Sequence, residues 1–191
     1  MNGLKGQNNV FVNDETVLLT QLKSPVKREN AFRELISLYK ERLYWHIRKI
    51  VISHDDTDDV LQNTFIKVYR NIENFKGDSK LFSWMYRIAT NEAITHLNKN
   101  AKRMQITSEE VKTHAVNNLQ ADVHFDGNEI QIKLQKAIAT LPEKQQMVFN
   151  MKYFDDLKYR EISEILETSE GALKASYHIA VKKIEAYLTG N

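Results

Sequence analysis

From Glu15 to about Arg103, and again from about Glu129 to Leu188, apolar residues return every three or four positions. That spacing places them on one face of a helix, where a core can cover them. Punctuation is sparse, with 6 Gly and 2 Pro in 191 residues. Strand-rich folds need turn residues far more often. The sequence therefore predicts an all-α chain: two helical domains joined by a flexible linker, with a helix-turn-helix in the C-terminal domain. The apolar share of 42% is enough for a core.

The expected divisions follow composition. Residues 1–14 read as disordered, and 15–103 as one helical domain. Residues 104–128 are polar, weakly periodic and contain the Asp126-Gly127 turn signal, which predicts a linker. Residues 129–191 read as a second domain. Within the first, Phe32, Leu35, Ile36, Leu38, Tyr39, Leu43 and Ile47 mark one helix. Further helices are expected over about 56–72 and 80–99, separated by the loop Phe75-Lys-Gly-Asp-Ser.

There are no cysteines. Disulfides and thiolate metal sites are excluded, and a cytoplasmic location is expected. The first residues lack the basic start and apolar run of a signal peptide. No stretch of about 18 apolar residues occurs, so no membrane insertion is expected. The net charge of +2 says little about partners. Its distribution says more. Acids gather at Asp55–Asp59 and again at Asp155, Asp156, Glu161, Glu164 and Glu167. Bases gather at Lys99, Lys102 and Arg103, and at Lys174, Lys182 and Lys183. Separate patches of opposite sign suit different partners, although solvated helix faces look the same.

In the C-terminal domain, Tyr159-Arg-Glu-Ile-Ser-Glu-Ile-Leu is a short helix with Ile162, Ile165 and Leu166 on one face. Ser169 is placed to cap a longer helix. In that helix Leu173, Tyr177, Ala180, Ile184, Tyr187 and Leu188 are expected to face inward. Gly171, Lys174, Ala175, His178 and Lys182 then face out. Small residues near the start admit base edges, and cations meet phosphates. A helical hairpin without a DNA role shares this pattern.

In the N-terminal domain, the helix over about 56–72 is expected to bury Leu61, Thr64, Phe65, Val68 and Ile72. Asp59, Gln62, Asn63, Ile66 and Arg70 face away, and the apolar Ile66 among them suggests a docking surface. The acids Asp55–Asp59 fit no calcium loop, lacking Gly at the sixth position and Glu at the twelfth, so neither metal nor cofactor is expected. The next helix is expected to bury Leu81, Phe82, Met85, Ile88 and Ala89. Its other face carries Ser83, Arg87, Thr90, Asn91, Ile94 and Asn98, flanked by Trp84 and Tyr86. Aromatics beside amides and cations hold unstacked bases. An ordinary solvated stripe with Trp84 in the core is the alternative.

Together these segments resemble a known family. The run Asp56-Thr-Asp-Asp-Val-Leu-Gln-Asn-Thr-Phe-Ile-Lys-Val-Tyr-Arg, the loop Phe75-Lys-Gly-Asp-Ser and the run Phe82-Ser-Trp-Met-Tyr-Arg-Ile-Ala-Thr-Asn-Glu-Ala look like domain two of extracytoplasmic-function (ECF) sigma factors. Leu141-Pro-Glu-Lys-Gln, Tyr159-Arg-Glu-Ile-Ser-Glu-Ile-Leu and Ser169-Glu-Gly-Ala-Leu-Lys look like domain four. The resemblance implies a transcription initiation factor, not an enzyme. It implies docking on core RNA polymerase through Asp58, Asp59, Gln62, Asn63, Phe65 and Lys67. It implies that Lys76, Gly77, Asp78, Ser79 and Lys80 capture a flipped minus-ten base. Trp84, Arg87, Thr90 and Asn91 would then contact the melted non-template strand. Ser169, Gly171, Lys174, Ala175, His178 and Lys182 would contact the minus-thirty-five duplex. The linker, with Glu109, Glu110, Asp122 and Asp126, would thread toward the polymerase active centre, and a helical anti-sigma factor would be a possible further partner. One departure stands out: Ser176, Ile179 and Val181 occupy positions where the family commonly has Arg, which implies weaker duplex binding.

Two other readings compete. A helix-turn-helix regulator with a helical sensor domain would bind DNA without polymerase, but has no reason to carry the 56–70 and 75–93 blocks. A metal enzyme built on Asp55–Asp59 lacks a His/Glu partner set and a Gly-rich phosphate loop.

Overall fold

The computed structural model describes residues 7–117 and 129–190, with side chains from residue 15 onward. Among these residues every regular element is helical: α1 (Gln7–Leu22), α2 (Arg28–Val51), α3 (His54–Asn71), a 3-10 turn (Ile72–Asn74), α4 (Leu81–Met104), α5 (Ser108–Asn117), α6 (Glu129–Ala139), α7 (Glu143–Tyr153), α8 (Tyr159–Leu166) and α9 (Glu170–Thr189).

Helices α2, α3 and α4 pack on one another around Leu35, Leu43, Ile47, Val60, Val68, Leu81, Met85 and Leu97, all under 5% exposed. Full burial of each such side chain contributes about 1.5–3 kcal/mol before conformational entropy is subtracted. The α2–α3 corner is tight. Ile52 has φ 69° and is bridged by Ser53 N–H donating to Val51 carbonyl at 2.8 Å. A β-branched residue there is strained. Burial of Ile52 against Val116 of α5 holds it, and Ser53 then caps α3 by accepting from Asp56 N–H.

Two boundaries differ from expectation. Helix α1 begins at Gln7, inside the stretch read as disordered. Tertiary anchoring accounts for its stability: Leu18 and Leu22 are buried in the core, and Glu15 accepts from Leu81 N–H at 2.9 Å. The stretch read as a linker contains α5, which packs on α4 and α6. Thr107 and Glu110 form its start, each backbone N–H donating to the other's side chain. The Lys112 ammonium is buried and donates to Gln146 at 2.7 Å. Residues 1–6 and 118–128, the latter including Asp122 and Asp126, lie outside the described residues.

In the C-terminal half, Ile162 and Ile165 of α8 and Leu173, Ala180 and Ile184 of α9 are buried, as the periodicity predicts. Tyr187 is an exception at 40% exposed, while Leu188 beside it packs on the core. The two halves share one core. Met147, Val148, Met151, Leu157, Ile162 and Ile165 are contiguous with the buried residues of α2 and α4.

Candidate nucleic-acid and polymerase interfaces

The outer face of α3 displays Asp58, Asp59, Gln62 and Asn63, all exposed, with Ile66 beside them at 41%. Lys67 is exposed and pairs with Glu92. Phe65 does not belong to this face. It is 8% exposed and meets Phe32 edge-on at 6.2 Å, so its expected docking role is corrected to a core role. The helix period already placed it inward with Leu61 and Val68. Asp56 pairs with His96 at 2.9 Å, and His54 with Asp58 at 3.7 Å. These acids serve the start of a capped helix.

The loop before α4 is built to stand out. Phe75 is buried against Trp84, ring centroids 5.2 Å apart, and its carbonyl accepts from Lys23 at 2.8 Å. Gly77 then takes φ 84°, a conformation that a side chain would strain. Lys76, Gly77, Asp78 and Lys80 are exposed and Ser79 is half-buried. Trp84 is half-buried, packed against the core and against Phe75 at the start of the loop. Tyr86, expected to flank the polar stripe, is instead fully buried on Phe82, and burial pushes its hydroxyl pKa up.

The first part of the polar face of α4 is paired with the second half of the chain. Lys80 donates to Glu161 at 2.9 Å and Ser83 to Glu164 at 2.9 Å. Arg87 donates to the Glu167 carboxylate at 2.6 Å and to the Glu164 backbone carbonyl. Thr90 is 2% exposed and bonds to His46 Nε2 at 2.9 Å. Asn91 remains exposed at the rim of a cleft of about 450 Å³ between α4 and the second half of the chain, with Lys144 and Ser176 opposite.

A second polar cluster ties α2 to the turn after α7. His46 Nδ1 donates to Asp155 at 3.1 Å, Lys49 donates to the same carboxylate, and Asn150 donates to the Lys49 carbonyl at 3.2 Å. Burial would raise the Asp155 pKa, but the hydrogen bonds and charges of His46 and Lys49 outweigh it and hold the carboxyl below its ordinary value. Neither His46 nor Asp155 was among the expected site residues. The acidic group Asp155–Glu167 was visible as a patch, but its target was not.

On α9 the expected face is open: Ser169, Gly171, Lys174, Ala175, His178 and Lys182 are all exposed. Ser169 caps the helix by accepting from Ala172 N–H at 3.4 Å. Lys174 sits over Tyr159, 5.6 Å from its ring centre. Ile179, at one of the arginine-poor positions, is 45% exposed.

Residues 35–103 match the Sigma-70 region 2 family, and residues 131–184 match the Sigma-70, region 4 family. The chain is 31% identical over 165 residues to the ECF RNA polymerase sigma-E factor of Haemophilus influenzae, covering 82% of this chain and 87% of that protein. It is 29% identical over 159 residues to the ECF RNA polymerase sigma factor SigW of Bacillus subtilis, covering 78% and 84% respectively. Its fold is similar to that of CnrH, solved in complex with the cytosolic domain of CnrY, with TM-score 0.68 at 20% identity over 93% of this chain and 98% of that one. It is also similar to the sigma factor RpoE of Bartonella quintana, solved in complex with the anti-sigma factor NepR, with TM-score 0.63 at 17% identity over 83% and 96%. With both regions in order on one all-helical chain, and a 31%-identical relative matched along most of its length, the protein belongs to the ECF RNA polymerase sigma factors and is a transcription initiation factor.

Proposed function

We propose that this chain divides promoter recognition among three surfaces. The exposed Asp58, Asp59, Gln62 and Asn63 of α3, with Lys67, dock on core RNA polymerase. The Lys76–Lys80 loop and Trp84, Arg87 and Asn91 hold the melted non-template strand of the minus-ten element, while Thr90, buried and bonded to His46, supports the helix from within. The outer face of α9, from Ser169 to Lys182, contacts the minus-thirty-five duplex. The chain acts in the cytoplasm and makes no covalent bond. It offsets an unstacking cost of a few kcal/mol per flipped base with pocket contacts.

The observation that carries this reading is the order of the two matched regions, 35–103 then 131–184, on opposite sides of α5. The exposed Lys76–Lys80 loop beside a half-buried Trp84 supports the strand site. Two of the solved structural neighbours carry a bound second protein, in one of them an anti-sigma factor, which supports an anti-sigma partner for this chain as well.

The test is abortive transcription by core polymerase, with and without this protein, on a randomised promoter library. Selective initiation that is lost in Asn91→Ala and Trp84→Ala supports the reading. Duplex binding by the protein alone, with polymerase unaffected, would overturn it in favour of a helix-turn-helix regulator.

A further inference from the structure

Helix α9 presents a large apolar side chain in the middle of its proposed duplex face. Ile179 is 45% exposed. It is not the edge of a buried seam, because Val181, two residues on, is the one that packs against the core of the second half. The helix period puts Ile179 in line with Ala172 and Ala175, both exposed.

The ammonium groups that border this line are held to its sides. Lys174 lies 3.9 Å from Glu170 and 5.6 Å from the centre of the Tyr159 ring. Lys183 is turned toward α7, where it donates to Gln145 at 3.2 Å. His178 and Lys182 are exposed along one edge of the line and supply donors there. Between these cations, what meets the floor of a groove is methyl and methylene.

The chemistry of the line selects a base. Its side chains carry neither a hydrogen-bond donor nor an acceptor. In the major groove adenine presents N7 and N6, guanine N7 and O6, and cytosine N4, whereas thymine presents a methyl group beside its O4. Apolar side chains laid over the polar edges displace water that they cannot replace, which counts against binding. Laid over the thymine methyl, they gain burial. Ala175 and Ile179 are one turn apart, a rise of about 6 Å. Successive bases of a strand are about 3.4 Å apart, so the two residues span two adjacent pairs.

We propose that Ile179 and Ala175 read the C5-methyl groups of two neighbouring thymines in the minus-thirty-five duplex, while Lys174 and Lys182 hold the backbone. This rests on the assignment of α9 to the duplex under the proposed function, and names what the helix reads there. Because the thymine contacts carry no charge, the sequence preference is expected to hold as salt rises, even while affinity falls.

The test uses the holoenzyme of core polymerase and the full chain. Abortive initiation is selected on promoters with a fixed minus-ten element and a randomised minus-thirty-five segment. A step of two thymines is expected to be enriched. Each thymine of that step is then replaced by deoxyuridine, which removes the methyl and keeps every hydrogen-bonding atom. Initiation at limiting holoenzyme is expected to fall about fourfold for one uridine and about sixteenfold for both, the worth of one and of two buried methyl groups. In Ile179→Ala the penalty at one of the two positions is expected to vanish, while that at the other stays. The thymine-to-uridine ratio on one preparation cancels any difference in folded fraction. Ile179→Arg is expected to move the preferred base at the affected position to guanine, whose O6 and N7 accept from a guanidinium together.

Enrichment of another base, equal initiation on uridine and thymine, or a uridine penalty that Ile179→Ala leaves intact at both positions would overturn the proposal. Lys174→Ala/Lys182→Ala then decides the assignment beneath it. Weaker initiation from the selected promoter in that pair keeps α9 on the duplex with its thymine reading refuted. Unchanged initiation, together with no enrichment in the randomised segment, removes α9 from the duplex and the thymine reading with it.

Discussion

His46 and Asp155 meet at 3.1 Å across 109 residues of sequence, one from the middle of α2 and the other from the turn after α7. The imidazole is 1% exposed and the carboxylate 5%. With Lys49 on the second carboxylate oxygen, Asp155 accepts from two donors of the first domain. Removing it strands them. Asp155→Ala is expected to cost about 3 kcal/mol in urea unfolding with an unchanged slope.

The same residue sets a pH limit. The folded Asp155 pKa lies below its ordinary 3.8. Its contribution is therefore complete above that value and is lost as pH falls through the lower folded value. Stability of wild type minus Asp155→Asn, followed from pH 6 to 2.5, is expected to be flat at first and to shrink only on the acid side of 3.8. A difference that shrinks already between pH 6 and 5 would contradict the arrangement.

Lys112 should behave in the opposite sense. Burial lowers its pKa below 10.5, so the folded chain releases this proton more readily than the unfolded one. Stability then rises as pH climbs through the lowered value toward 10.5. Lys112→Met is expected to flatten that rise below pH 10.5 and to leave stability at pH 7 equal or higher, by about 1 kcal/mol. Urea midpoints at pH 7 and close to 10.5 measure both effects.

Phe65 and its helix neighbours separate packing from docking. Phe65→Ala removes a ring from the core and is expected to cost about 3–5 kcal/mol. Gln62→Ala and Asn63→Ala lie on the exposed face and should stay within about 0.5 kcal/mol of wild type. In pull-downs with core polymerase, the exposed pair should weaken retention while their melting temperatures hold. Retention that survives in both would move the docking surface elsewhere.

On α9, Lys174→Ala and Lys182→Ala are each expected to reduce the salt dependence of duplex binding by about one unit of slope. Ser169→Ala should instead lower helix stability by about 1 kcal/mol through the lost cap. Binding titrations at several salt concentrations, alongside thermal melts, distinguish the two.

Local signals in the sequence located most of this architecture. The 3.6-residue period found α2, α3, α4, α8 and α9, and Ser169 announced its own cap. Helix α5 was hidden because its polar composition is compatible with helix or coil, and a buried lysine reads as an exposed one until Gln146 is known to face it. The period alone puts Tyr86 beside the polar stripe, but α4 buries a second face against α2, where His46 and Arg42 meet the ring. The contacts of His46, Lys80, Ser83 and Arg87 with the second half lie 77 or more residues apart in the chain. No periodicity carries that information. What the sequence did show was an acidic group and a polar stripe, unmatched until the fold set one against the other.

The order of synthesis gives the packing of α8 on α4 a temporal meaning. Helix α4 is made first and α8 later. At roughly 5–20 residues per second, several seconds pass between the two. During that interval the nascent chain exposes Lys80, Ser83, Arg87 and the apolar seam that Met151 and Ile162 will later fill. A ribosome paused once α5 has left the exit tunnel would therefore display this polar and apolar face with nothing packed on it. Fragments released at that point would be sticky toward both nucleic acid and chaperones.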